Sequence, residues 1–354
     1  MPTNNSSIQL REQFISLLTE LLQVPAPSGR EEQMAALLRR HLDKLGYAHE
    51  TDSSGNLLVR FEGSQPDLPL AVMAAHMDEI GVVVSHIEDD GRLCVERSGG
   101  LAPFKLGERP LEFVGDSESI IGVPSFGTGH STDFSRGIAW EEVRVITGLS
   151  KAQLQEKGIR PGTNGVPVAQ GRGPFLLGTP ENPLVAAWTM DDRAGVVVLL
   201  QLLQILKERD IQPRRPTIVA FTVHEEGGCY GAKALAQRER PEVFIAVDGS
   251  PWKPRAGIEV NDQPTCWSKD FLIHYDQRLI AVMAGAARSA GTQLQTAVLT
   301  NASSDASAVY DCGAAGRVAF IGHTRANSHG FEVAQLNVFP NIVKTLLEFL
   351  QLDW

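Results

Sequence analysis

Short apolar runs that stop on an ionisable side chain recur along this chain, and they narrow its fold more than any other feature. LAVMAA stops on His76, VAAWTM on Asp191, VFIAV on Asp248, and TIVAFTV runs into the adjacent carboxylates Glu225 and Glu226. Each run is short and has no polar face, so it reads as a strand buried on both sides, as in sheets covered by helices on each face. Open α/β sheets gather their functional groups at the ends of such strands.

The rest of the chain has an α/β rhythm with one interruption. Residues 8–46 carry two amphipathic helical patterns, FISLLTELLQV and EEQMAALLRRHLDKLGY, parted by a PAPSG break. A strand pair is predicted over residues 50–62. Beyond residue 178 the helix DDRAGVVVLLQLLQILKER leads to the strand PTIVAFTV, the helix GAKALAQRE and the strand VFIAVD. A helix near DQRLIAVMAGAARSAG, the strand LQTAVL and a last helix VFPNIVKTLLEFLQ complete the series. Residues 82–178 differ in texture: GRLCVERSGG, RPLEFVG, SIIGVPSFG and GVPVAQGRGPFLLG are short strand-like pieces among Gly and Pro. The predicted fold is α/β, a mixed central sheet with helices on both faces built from residues 1–81 and 179–354. A small β-rich domain, residues 82–178, is inserted in it.

The paired glutamates point to chemistry. Two anions side by side at a desolvated strand end raise each other's pKa unless a cation lies between or beside them. A divalent metal supplies that compensation, and His76, Asp191, Asp248 and His329, the last in ANSHGFE, are candidate partners. Mixed His and carboxylate ligation without cysteine suits zinc, cobalt or manganese rather than a thiolate structural site. HEEGG is not a zincin helix motif, because the position four after His224 is Gly228. No G-x-S-x-G elbow occurs, and GTGHST at residues 127–132 lacks the third glycine of a dinucleotide loop.

Composition excludes some partners. A net charge of −10 argues against nucleic acid and anionic membranes, and AGVVVLLQLL is too short to span a bilayer. The N-terminus has no basic stretch followed by an apolar one, and the four cysteines form no C-x-x-C pair. A cytoplasmic location with reduced thiols is predicted. Cys229 and His86, His224 and His274 are read as packing residues.

The elements HMDEIG (His76 to Gly81), MDDRAG (Met190 to Gly195), HEEGG (His224 to Gly228) and AVDGS (Ala246 to Ser250) resemble, in order and spacing, a family of dimetal aminopeptidases. That family includes glutamyl, deblocking and tetrahedral aminopeptidases. The resemblance implies a zinc-peptidase-like fold, release of N-terminal residues from short peptides, and two divalent ions per chain, zinc or cobalt with manganese as a third option. Asp191 would bridge the ions, with His76 and Asp248 on one and Glu226 and His329 on the other. Glu225 would be the general base that takes a proton from the bridging water and gives it to the leaving amine. Asp78 would hydrogen-bond the imidazole of His76. The insert would be a β-barrel-like domain mediating association into a homo-oligomer, with a tetrahedral dodecamer as the implied form.

One segment departs from the family pattern. Family members place the last histidine in R-Y-x-H-S/T with a glutamate four residues on, whereas here Arg325 is followed by Ala326-Asn327-Ser328-His329 and Glu332 lies three residues after His329. A terminal helix is predicted to follow His329, and Asp305 is read as the cap of another helix. Two other functions stay open: a related dimetal amidohydrolase acting on blocked or modified small peptides, and a non-catalytic assembly protein.

Overall fold

The computed structural model describes residues 4–128 and 137–354; positions 129–132 of the GTGHST segment lie outside them. Among the described residues eleven strands form one mixed sheet. At its centre Thr217–Thr222, Ala71–His76, Val243–Pro251 and Arg317–Ala326 run parallel in that order. Leu57–Phe61 extends one side; Phe331–Gln335, Pro183–Trp188 and Phe175–Gly178 extend the other with antiparallel pairings. The parallel strands put the carboxyl ends carrying His76, the glutamates and Asp248 on one edge.

Burial on both faces follows from the period of two along a strand. Met73, Val219, Ile245 and Ile321 point into a core shared with the helices Asn4–Leu22, Glu32–Leu45, Met190–Glu208 and Val338–Phe349. Their neighbours Val72, Ala220, Phe244 and Phe320 point the other way, into a second core with Tyr230–Glu239 and Asp305–Asp311. The α/β architecture is therefore a mixed sheet with helices on both faces, as the unbroken apolar runs predict.

Between Ala71–His76 and the sheet's return lies a closed six-stranded barrel: Gly81–Ile87, Leu93–Ser98, Arg144–Ile146, Ile120–Ser125, Leu111–Phe113 and Asn164–Pro167. Its interior holds Val84, Val95, Leu111, Phe113 and Val145, all buried. The sequence reading carried the insert through residue 178, but the last strand of that stretch, Phe175–Gly178, pairs with Pro183–Trp188 at the rim of the large sheet. Among the described residues five strands were missed: Gly81–Ile87, Arg144–Ile146, Thr265–Lys269, Arg317–Ala326 and Phe331–Gln335. A helix does not directly follow His329: it lies in the turn joining the antiparallel strands Arg317–Ala326 and Phe331–Gln335, and the terminal helix comes after them. Among the described residues no helix is long and apolar enough to cross a membrane.

Candidate metal centre

The edge where the parallel strands end brings together His76, Asp191, Glu225, Glu226, Asp248 and His329, whereas His86 on the barrel and His274, read as packing residues, are exposed elsewhere. His76 is the last residue of its strand, and Asp248 lies within Val243–Pro251. Asp191 opens the helix after Pro183–Trp188, where Asp191 and Asp192 are not helical and their peptide bond is cis. Asp192 Oδ1 accepts the Gly195 N–H at 3.0 Å, so this residue caps the regular helix while its Oδ2 accepts the His76 N–H at 3.2 Å.

Glu225 and Glu226 leave their strand through a tight turn. His224 and Cys229 take positive φ, and the Glu225 carbonyl accepts both the Gly228 and Cys229 N–H groups at 2.9 Å. Asp78 holds this turn from below: its carboxylate accepts the Glu225 N–H at 2.9 Å, the Glu226 N–H at 3.1 Å and the Ser28 hydroxyl at 2.6 Å. Asp78 also sits 3.3 Å from His76 Nδ1, and its carbonyl is 3.1 Å from the same nitrogen. Nδ1 is thereby engaged, and Nε2 faces Asp191 Oδ1 at 3.2 Å.

Two groups of three donors share Asp191. His76, Asp191 and Asp248 offer atoms within 4.8 Å of one another, and so do Asp191, Glu226 and His329. His76 with Glu225 and Glu226, and Glu225 with Cys229 and Asp305, meet the same distance. His329 Nε2 lies 3.4 Å from Asp191 Oδ2 and 3.7 Å from Glu226 Oε1. Glu226 Oε1 is buried without a hydrogen-bond partner among the described residues.

The electrostatics are those of anions crowded out of water. Burial pushes the Glu225 carboxyl well above the usual range, with His76 pulling the other way and Glu226 and Asp248 reinforcing the rise. Burial raises Glu226 to about 7, and burial with Asp191 alongside raises Asp248. Asp191 is the exception. Burial opposes its charge, but Arg325, His329 and His76 together hold it well below the ordinary value. Glu226 lifts His329 to about 10.

Arg325 and Glu332 form a support that the sequence hinted at only through their spacing. Arg325 Nη2 pairs with Asp191 Oδ2, its Nε donates to Glu332 Oε1 at 2.7 Å, and Glu332 Oε2 accepts the Asp191 N–H at 2.9 Å. Gly249 leaves room for the guanidinium, since a Cβ there would occupy its place. Asp305 does not cap its helix: Ser304 does, in a reciprocal pairing with Ser307. The Asp305 carboxylate instead accepts the Thr222 hydroxyl at 2.7 Å under the Glu225 turn, and burial raises it to about 6. Cys229 Sγ, 3.5 Å from Glu225 Oε1, packs in the same spot. His224 has partners that were not foreseen, its N–H donating to Glu31 Oε1 at 3.1 Å and its ring meeting Tyr230 edge-on. A cleft of about 720 Å³ is lined by Asp191, Glu225, Glu226 and Asp248 and also by Pro251, Lys253, Trp267 and Phe271.

The chain is similar to known proteins. The family model of M42 glutamyl aminopeptidase matches residues 55–344. The chain is 30% identical over 240 residues to glutamyl aminopeptidase of Lactococcus lactis subsp. cremoris, a match covering 65% of this chain and 65% of that protein, which is slightly less than two thirds of its length. Among solved structures, aminopeptidase APDkam598 from the archaeon Desulfurococcus kamchatkensis superposes with a TM-score of 0.85 at 25% identity, over 97% of this chain and 96% of that one. PhTET1-12s, solved with a dodecamer in the asymmetric unit, gives 0.82 at 26% identity over 94% and 98%.

Proposed function

The chain belongs to the M42 glutamyl aminopeptidase family, and from that premise we propose that it is a metal-dependent aminopeptidase releasing N-terminal residues from short peptides. The observation that carries this reading is the sharing of Asp191 between two donor groups, each otherwise supplied by one histidine and one carboxylate. The donor set fits two divalent ions. The buried carboxylates of Asp191 and Asp248 and the half-buried Glu226 meet two histidines there, neither group includes a thiol, and Glu226 Oε1 has no other partner among the described residues. His76, Asp191 and Asp248 would hold one ion, and Asp191, Glu226 and His329 the other; zinc, cobalt and manganese all suit these donors. Such ions supply Lewis acidity, lowering the pKa of water and withdrawing electrons from a peptide carbonyl.

Glu225 binds neither ion in this reading. Its Oε2 lies 3.9 Å from His76 Nε2, its backbone N–H donates to Asp78, and it is in neither group of three that contains Asp191. A carboxylate that burial makes more basic accepts a proton from attacking water and returns it to the departing amine. Asp78 is a positioning residue: it orients the His76 ring and the turn that separates the two glutamates. Pro251, Trp267 and Phe271 give the cleft an apolar lining for substrate side chains, beside the polar Lys253, Thr300, Asn301 and Ser303.

We further propose a homo-oligomer, a tetrahedral dodecamer in its largest form, with the barrel taking part in association. Apolar side chains open to solvent support it: Ile121, Val123 and Ile146 on the barrel and Phe175, Leu176 and Leu177 on the sheet rim.

A substrate panel tests the reaction class. After chelation and reloading with zinc, cobalt or manganese, the protein is given matched dipeptides and tripeptides with a free or an N-acetylated terminus. Cleavage confined to free amines supports an aminopeptidase. Preference for the blocked peptides would replace it with an amidohydrolase, and no turnover with any metal would favour a non-catalytic assembly protein.

A further inference from the structure

The two histidines of the candidate centre are held in the same way by different parts of the chain. In each, Nδ1 is engaged by an oxygen while Nε2 faces Asp191. For His76 the oxygens belong to Asp78, two residues along the same segment. For His329 the oxygen is the carbonyl of Gly100, 3.2 Å from Nδ1, in the segment leaving the barrel strand Leu93–Ser98. A histidine that donates Nδ1–H leaves the Nε2 lone pair for a metal.

Lys105 adds two contacts between that segment and the turn carrying His329. Lys105 Nζ donates to the Ser328 carbonyl at 2.7 Å, and the Lys105 stem lies along Gly330. Gly99 packs against Glu226, where a Cβ would come to 3.0 Å from Oε2, and at Gly100 a Cβ would run into the His329 ring. Arg109 lies over the rings of Trp188 and Phe331, 4.6 and 5.8 Å from their centroids. The turn needs such support, because Asn327 and His329 both hold positive φ without being glycine, and the His329 side chain is 32% exposed. The hydrogen bonds of His76 and Asp248 run instead to Asp78, Asp191, Asp192 and Gly249 within the sheet domain.

We propose that the barrel segment 99–105 is a positioning element for one of the two ion sites, with the Gly100 carbonyl and Lys105 fixing His329 for the ion shared by Asp191 and Glu226. The inference rests on the two-ion reading above. Gly100 is required because only a residue without Cβ lets the carbonyl reach His329. Lys105 is required because it ties the turn to the barrel at Ser328.

Cobalt(II) titrated into the chelated full-length chain, followed by calorimetry and visible absorption, tests it. The parent chain should bind two ions. Lys105→Met and Gly100→Ala should leave the tighter or looser binding of the His76 site unchanged and weaken the His329 site by about 10- to 100-fold, the usual effect of losing a ligand's outer hydrogen-bond partner. Lys105→Arg should restore part of that loss. A parent that binds fewer than two ions overturns the two-ion reading and this inference with it. A two-ion parent whose Lys105→Met and Gly100→Ala variants bind both ions normally, or lose both equally, overturns the positioning role alone. The Lys105→Met change keeps the stem's packing, so it reports on the site even if Gly100→Ala fails to fold.

Discussion

Glu225 and Glu226 are adjacent and both are withdrawn from solvent, their side chains 12% and 5% exposed, yet their neighbours differ. Glu226 Oε1 approaches His329 and has no hydrogen bond, whereas Glu225 sits between His76 and Cys229. Their amides should therefore fail differently. Glu225→Gln should keep metal content and near-normal KM while kcat falls by about 10²- to 10⁴-fold. Glu226→Gln should lose one ion first, and added metal should recover part of its activity. Metal content measured beside kcat decides, and rescue of Glu225→Gln by metal would exchange the two roles. The same residues make the chelated protein sensitive to pH. The folded chain keeps the Glu226 proton to about 7 against an ordinary 4.5, so the unfolded chain releases it first and stability falls as pH climbs through that window. The contribution of His329, raised from 6.5 to about 10, is complete below 6.5 and is lost progressively as pH rises from 6.5 to about 10. Melting temperatures of chelated protein should drop between about pH 4.5 and about pH 7, and zinc should remove most of the difference. A flat or rising profile without metal contradicts the crowded-anion picture.

At the scale of elements, one buried carboxylate joins three of them. Glu79, fully buried, accepts from Arg172 at 3.0 Å, from Arg193 at 3.1 Å and from the Ala26 N–H at 2.9 Å. Arg193 belongs to the helix that Asp191 opens, and Arg172 follows the barrel. Glu79→Ala strands two buried guanidiniums, and a loss of about 3–5 kcal/mol is expected in urea unfolding of the metal-loaded protein. A loss below about 1 kcal/mol, the level of a surface ion pair, would show that the triad does not join these elements. Elements of this buried kind were the most legible in the sequence. Ala71–His76 and Thr217–Thr222 are covered on both faces, so they appear as unbroken apolar runs ending at functional groups. Arg317–Ala326 was missed because its second half, Gly322-His323-Thr324-Arg325, is polar; it is buried through partners such as Thr265, whose hydroxyl lies 2.6 Å from that of Thr324. Phe175–Gly178 was assigned to the insert because all four residues are exposed and no alternation marks which sheet they join. Arg325 and Glu332 were visible only as a shifted spacing around His329, and their pairing with Asp191 depends on a strand register that no local pattern encodes.

For the whole molecule, the barrel and the sheet rim carry part of the apolar surface left open by a single chain. Phe175, Leu176 and Leu177 are 51%, 62% and 47% exposed on an edge strand, a combination that invites pairing with another copy. Leu176→Asp should lower the assembly's mass in light scattering while the far-UV circular dichroism stays unchanged; an unaltered mass would remove this edge from the interface. Above these assemblies stands the claim that each chain works as a two-ion aminopeptidase. The most direct test follows bound divalent ions per chain, by elemental analysis, and hydrolysis of a free-amine dipeptide in the same samples as metal is returned to chelated protein. Activity should be absent from the metal-free chain and reach its plateau as occupancy approaches two ions per chain. Full turnover in the metal-free protein, or saturation of binding well below two ions with activity already maximal, would contradict it.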